Sequence, residues 1–112
     1  MIVEIGKEKA LELLNNHQIM IIDAREAEEV EESEMLTEDA INLDITDKNH
    51  FDMMIDMLPK DVEYLVYSNN GVRSIRLARE LESLGFERIY NLTSGLESFT
   101  VEQGSWEDKC DL

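Results

Sequence analysis

The sequence predicts an α/β protein in which helices cover both faces of a central parallel β-sheet. Apolar segments suited to buried strands alternate with segments whose apolar residues recur at helical spacing. The run IMIIDAR (residues 19–25) is apolar until it ends in charge, as expected for a strand buried on both sides. The 112 residues suffice for one domain with its own core. We therefore predict one domain over residues 1–105 and an acidic tail over residues 106–112.

Each element follows from one of these two patterns. The predicted strands are the start of VEIGKEKALELLNN and the segments IMIIDAR, AINLDI, VEYLVYS and RIYNL. The predicted helices are the rest of that first segment and the segments EAEEVEESEM, HFDMMIDML, GVRSIRLARELESLG and GLESFTVEQ. The longest helix should bury a stripe of Val72, Ile75, Ala78 and Leu81, widened by Leu77 and Leu84, and end at Gly85. The methionines Met53, Met54 and Met57 are expected to pack in the core or to cover the sheet.

The charge of the chain limits its partners. The formal net charge is -16, which argues against nucleic acid and anionic membrane surfaces. No apolar run approaches the ~20 residues that a membrane helix needs. The N-terminal segment MIVEIGKEKA also lacks the pattern of a signal peptide. We expect a cytoplasmic protein with no membrane partner.

The turn between VEYLVYS and the longest helix is the strongest candidate site. Ser68 ends the strand, Gly71 permits a tight turn, and Arg73 lies in the first turn of the helix. A cation is mildly unfavourable at that end of a helix, so a bound anion would explain Arg73. From residue 64 to 79 there is no acid, and there are three arginines. The candidate anion-binding residues are Asn69, Asn70, Gly71, Val72, Arg73 and Ser74.

Each of these residues also has a structural interpretation. The hydroxyl of Ser68 can cap the following turn, and Arg73 can pair with a carboxylate such as Asp23. Asp23 and Arg25 end a neighbouring strand, so they should support the same edge of the sheet. Ser68 is a weak nucleophile without a base, and the two histidines, His17 and His50, are not predicted to lie near it. We expect no metal and no cofactor, because no Cys/His cluster has ligand spacing.

The chain also contains a strongly acidic run. Residues 26–39 contain eight carboxylates and no base, which indicates either a solvated face or a docking face for a basic protein. The single cysteine, Cys110, lies in the acidic tail, where neighbouring carboxylates should raise the pKa of its thiol and make it a poor nucleophile. The role of the nearby Trp106 stays open.

Several segments follow one another in an order that is similar to a single rhodanese-like (sulfurtransferase) domain. They are ALELLNN, IIDAREAEEV, AINLDI and LPKDVEYLVYSNNGVRSIRLARELESLGFERIYNLTSGLESF. The resemblance implies a rhodanese-like α/β fold and a catalytic loop at residues 68–73. Six residues is the loop length of the family's sulfurtransferases, whereas the related phosphatases have one residue more.

The departures from the family pattern bear on activity. Ser68 stands where the family has its sulfur-carrying cysteine, Asn69 replaces a frequent basic residue, and MLTEDA replaces the family's GHIPGA. A serine cannot form a persulfide, and Cys110 is too far along the chain to replace the missing thiol. The resemblance therefore implies an inactive domain that serves as a binding or regulatory module, with a small oxyanion or sulfur-containing anion in the loop or a protein on the acidic face. The alternative is a thiosulfate or persulfide sulfurtransferase whose native cysteine is replaced by Ser68. The changes at Asn69 and MLTEDA favour the first interpretation.

Overall fold

Strands and helices alternate along the chain in the computed structural model, which describes residues 1–16, 18–32, 36–37 and 39–98. The strands in this part of the chain are β1 (Ile2–Ile5), β2 (Met20–Asp23), β3 (Ile41–Asn42), β4 (Glu63–Tyr67) and β5 (Arg88–Leu92). The helices are α1 (Lys7–Leu14), α2 (Ala27–Glu32), α3 (Lys48–Met57) and α4 (Val72–Ser83). Residues 95–98 are also helical.

The strands form one parallel sheet in the order β1-β5-β4-β2-β3. Strand β4 is central, and the register places Ile21 beside Leu65 and Asp23 beside Tyr67. Because all strands run in the same direction, their carboxyl ends meet at one edge. That edge carries the candidate site, as expected for an open α/β sheet.

The core lies on both faces of the sheet, and β4 contributes to both halves. Tyr64 and Val66 pack with buried residues of α3 and α4, whereas Leu65 and Tyr67 pack with buried residues of α1. This alternation follows from the two-residue period of a strand. The predicted α/β class, with helices on both faces of a parallel sheet, is confirmed.

The predicted apolar stripe of α4 is partly wrong. Val72 is 59% exposed, and the buried positions are Ser74, Leu77, Ala78 and Leu81. A helix turns about 100° per residue, so positions spaced by three drift steadily away from one face. The buried set alternates steps of three and one, which keeps it on one face.

The prediction for the methionines is wrong for two of the three. Met53 and Met57 are exposed on α3, and Met54 packs only partly buried against the core. Helix α3 meets the core through Phe51 instead. A short stretch with several methionines does not by itself indicate which face is buried.

Some predicted elements differ in extent from those in the structure. Strand β3 is shorter than AINLDI, because the carboxylate of Asp44 accepts hydrogen bonds from the backbone N–H of Thr46 (2.9 Å) and from its hydroxyl (2.6 Å) and turns the chain. Four predictions concern positions outside the described residues: the end of GLESFTVEQ, the domain boundary at residue 105, the acidic tail and His17.

Among the helices of the described part of the chain, none combines the length and the apolar character of a membrane-spanning segment.

Candidate functional site

Ser68 is the first residue of the loop that joins β4 to α4, and it is only 1% exposed. Its Oγ accepts hydrogen bonds from the backbone N–H of Gly71 (3.0 Å) and of Ser74 (3.2 Å). The Oγ atoms of Ser68 and Ser74 are 3.2 Å apart, and the Ser74 hydroxyl also lies 3.2 Å from the carbonyl of Gly71. The capping contact considered for Ser68 from the sequence is therefore present. The two amides therefore converge on the hydroxyl oxygen of Ser68.

Gly71 is required by the backbone of the loop. Its φ of 88° lies in the left-handed region, and a Cβ there would meet the carbonyl oxygen of Thr93 at 2.0 Å. Beside it, the Oδ1 of Asn70 accepts a hydrogen bond from the N–H of Val72 (3.1 Å). Asn70 and Ser68 together thus bind three of the N–H groups around the helix start.

The segment that follows β5 closes the loop from the other side. The N–H of Leu96 donates to the carbonyl of Ser68 (2.8 Å), and the N–H of Glu97 donates to the carbonyl of Asn69 (2.9 Å). Gly95 allows this approach, because a Cβ at this position would lie 2.5 Å from the backbone of Ser68 and Asn69. The loop conformation is therefore fixed by residues outside the loop.

Arg73 pairs with a carboxylate, as its structural interpretation expected, but the partner is Glu29 of α2 and not Asp23. The second carboxylate oxygen of Glu29 accepts a hydrogen bond from the side-chain amide of Asn69 (2.7 Å). The hydrogen bond and charge of Arg73 lower the pKa of the Glu29 carboxyl, although partial burial opposes this. Two residues of the candidate anion-binding loop therefore already hold a carboxylate of the same chain.

Sequence reasoning missed Glu29 as a site residue. Its only signal was membership of the acidic run in residues 26–39, which contains eight carboxylates. Which of these faces the loop depends on how α2 packs, and the sequence of a six-residue helix does not determine that.

Asp23 and Arg25 form a buried ion pair at the carboxyl end of β2. Their side chains are 0% and 1% exposed, and Nη2 of Arg25 lies 2.9 Å from the Asp23 carboxylate. The Tyr67 hydroxyl donates to the same carboxylate (2.8 Å), and the side-chain amide of Asn42 donates to the carbonyls of Asp23 (3.1 Å) and Arg25 (2.8 Å). Mainly through burial, the pKa of Tyr67 is raised, so this hydroxyl keeps its proton and acts as a donor. The two residues stand at the predicted edge of the sheet, beside the last residue of β4.

A cavity of about 210 Å³ adjoins the loop at the carboxyl ends of β2 and β3. Its lining includes Ala24, Glu26, Asp44, Thr46, Arg73 and Arg76. The pKa of Arg73 is raised first by its hydrogen bond to Glu29, and the charges of Glu26 and Asp44 add to this. With Glu29 included, three carboxylates stand against two guanidinium groups here. Two of the three arginines in residues 64–79 therefore face an excess of carboxylates in the fold.

The described residues offer Ser68 no evident activating base. The Nε2 of His50 lies 3.2 Å from the carbonyl oxygen of Asn42, and His17 lies outside the described residues. Within the ranges described, no three histidine, cysteine, aspartate or glutamate side chains are grouped as a metal site requires. The arrangement offers two guanidinium groups beside a small cavity. Three backbone N–H groups of the loop are already bonded to the side chains of Ser68 and Asn70.

The chain is similar to known proteins over most of its length. A family model described as "Rhodanese-like domain" matches residues 7–102. The thiosulfate sulfurtransferase GlpE of Coxiella burnetii is 28% identical over 96 residues, which cover 86% of this chain and 85% of that protein.

Solved structures have the same fold. A rhodanese-related protein from Thermoplasma volcanium superposes with a TM-score of 0.71 at 22% identity, over 89% of this chain and 92% of the other. The rhodanese-like domain of an Anabaena protein superposes with a TM-score of 0.75 at 19% identity, over 90% and 75% of the two chains. At these identities the structures bear on the fold alone.

Proposed function

Because the chain belongs to the rhodanese-like domain family, we propose that Ser68 stands at the position of the family's sulfur-bearing cysteine and that the protein is a binding and regulatory module that does not transfer sulfur. The observation that carries this proposal is the buried Ser68 hydroxyl, whose oxygen accepts two backbone N–H groups. It caps α4 in the position of the nucleophile. A hydroxyl cannot carry a sulfane sulfur, and without a base it is a weak nucleophile.

Two ligands suit such a module. A small oxyanion or sulfur-containing anion would bind beside Arg73 and Arg76 in the cavity next to the loop. A basic protein would bind the acidic run of residues 26–39 through charge complementarity. Nucleic acid and anionic membranes are not proposed as ligands, because a net charge of -16 would repel them. The proposed compartment is the cytoplasm.

A second candidate function is sulfur transfer by a form of the protein with cysteine at position 68. The observation that favours it is again the pair of amides, from Gly71 and Ser74, that point at the Oγ atom. The same donors at a helix start would stabilise a thiolate. The similar GlpE protein is described as a thiosulfate sulfurtransferase.

Thiocyanate formation from thiosulfate and cyanide distinguishes the two candidates. The assay compares the chain as given with Ser68→Cys, both in a Cys110→Ser background so that the tail thiol does not contribute. Ser83→Cys, an exposed position on the same helix, is the matched control for a thiol outside the loop. We expect no thiocyanate above background from the chain as given or from Ser68→Cys.

Each other outcome has one meaning. Turnover by the chain with Ser68 intact would contradict the proposal. Turnover by Ser68→Cys but not by Ser83→Cys would favour the second candidate, because only the nucleophile would then be missing. Mass spectrometry of Ser68→Cys after thiosulfate treatment provides an independent measurement, since a persulfide adds one sulfur atom.

A further inference from the structure

We infer that Glu29 is a built-in ligand of the loop, which an external anion must displace in order to bind Arg73. The inference rests on the anion-binding part of the proposed function and adds the residue that controls it. Glu29 thereby sets the anion affinity of the loop. It comes from a different element, α2, and lies 44 residues before Arg73 in the chain.

The contacts of Glu29 are those of a bound carboxylate. One oxygen pairs with the guanidinium of Arg73, and the other accepts the side-chain amide of Asn69 at 2.7 Å. Both donors belong to the candidate anion-binding loop. A competing anion therefore has to replace two charge-assisted hydrogen bonds.

The contacts are also open enough to exchange. The side chain of Arg73 is 42% exposed and that of Glu29 is 25% exposed, so neither is locked in the core. Glu29 therefore differs from Asp23, whose carboxylate is fully buried against Arg25. A surface pair of this type contributes modestly, which makes displacement by a solute feasible.

The charges around Arg73 explain why the carboxylate of Glu29 limits anion binding. The field of Glu26 and Asp44 acts on Arg73 in addition to that of Glu29, so a small dianion would meet three carboxylates at this edge. Arg76 is exposed and lines the same cavity of about 210 Å³. Removing the charge of Glu29 leaves two arginines facing two carboxylates, which is a more favourable site for an oxyanion.

The test is a titration with thiosulfate, followed by NMR through the backbone amide signals of Gly71 and Arg73. It compares the chain as given with Glu29→Gln and Glu28→Gln. Glu28 is exposed on the same helix, so its variant removes an equal charge without touching the loop. We expect Glu29→Gln to bind thiosulfate roughly three- to fivefold more tightly. Glu28→Gln should bind like the parent chain.

A second variant, Glu29→Asp, keeps the inference testable if Glu29→Gln does not fold. Glu29→Asp keeps the charge of α2 but is one methylene shorter, so its affinity should fall between those of the parent and Glu29→Gln. Circular dichroism of each variant checks that the fold is retained.

The results separate this inference from the proposed function. Equal or weaker binding by Glu29→Gln would overturn the inference and leave the binding module standing. No binding by any variant would overturn both the inference and the anion-binding half of the proposal. The absence of sulfur transfer is tested independently by the thiocyanate assay.

Discussion

At the scale of single residues, Asp23 and Arg25 are charged side chains in a place where charge is costly. Burial alone would lower the pKa of Arg25, but the hydrogen bond and charge of Asp23, together with the charges of Tyr67 and Glu29, outweigh burial and raise it. Removing either partner would take from the other the opposite charge that it contacts inside the protein. The pair is therefore a structural unit that supports the strand end beside the loop.

Replacing Asp23→Asn should lower the free energy of unfolding by about 3–5 kcal/mol, because the buried guanidinium of Arg25 would lose the buried carboxylate that it pairs with. Urea unfolding at neutral pH measures the loss. The control is Asp52→Asn, which breaks the exposed pair with Lys48 at 3.7 Å and should cost less than about 1 kcal/mol. Similar losses in the two variants would show that the buried pair has no special role.

At the scale of elements, the start of α4 depends on the turn after β5. Gly71 precedes the helix in a left-handed conformation, and its Cα faces the carbonyl of Thr93. The helix and the last strand therefore approach at a point where no side chain fits. This close contact sets the direction in which α4 leaves the loop, and with it the position of Arg73.

Replacing Gly71→Ala should destabilise the protein by about 2–4 kcal/mol, since the left-handed backbone and the overpacked Cβ both cost free energy. Thermal and urea unfolding measure the change. Gly6→Ala is the matched control, because Gly6 has φ of -96° and a Cβ added there would meet nothing within 4 Å. It should cost no more than about 1 kcal/mol, because Gly6 is the N-cap of α1, a position at which alanine is less favourable than glycine. A tolerated alanine at position 71 would contradict the close approach.

At the scale of the whole molecule, the two buried tyrosines of β4 make the stability of the fold depend on pH in the alkaline range. Tyr64 and Tyr67 point to opposite faces of the sheet and are both fully buried. Burial raises the pKa of Tyr64 to about 12, from an ordinary value of 10.0. The phenol of Tyr64 donates to the carbonyl of Pro59, which a phenolate could not do.

We expect stability to fall as the pH rises above about 10. An unfolded chain releases the tyrosine proton near pH 10.0, whereas the folded chain holds that of Tyr64 to about pH 12. The stabilisation is thus complete below pH 10 and is lost between these values. Urea unfolding from pH 8 to 12 measures the decline, and Tyr64→Phe should make it shallower. An identical decline in both chains would rule out Tyr64 as a cause.

The sequence predicted the sheet well because strand and helix periods are local properties. RIYNL forms β5 over its full length, and the loop lies where an apolar run meets Gly71. The partner of Arg73 was not predictable, because Glu29 reaches it only through the packing of α2. The predicted burial of Val72 was wrong for a related reason, since the face of α4 that is buried depends on how the helix packs on the sheet. Local patterns predict elements, whereas pairings between distant elements require the fold.

The hydrogen bonds from Leu96 and Glu97 to the carbonyls of Ser68 and Asn69 have a consequence for motion. The loop cannot change its peptide orientation without breaking bonds to a segment almost thirty residues further along the chain. Loop and segment should therefore open together, as one cooperative unit of local unfolding. Ligand exchange at this edge of the sheet is then confined to side chains such as Glu29 and Arg73, which can swing while the backbone beneath them stays in place.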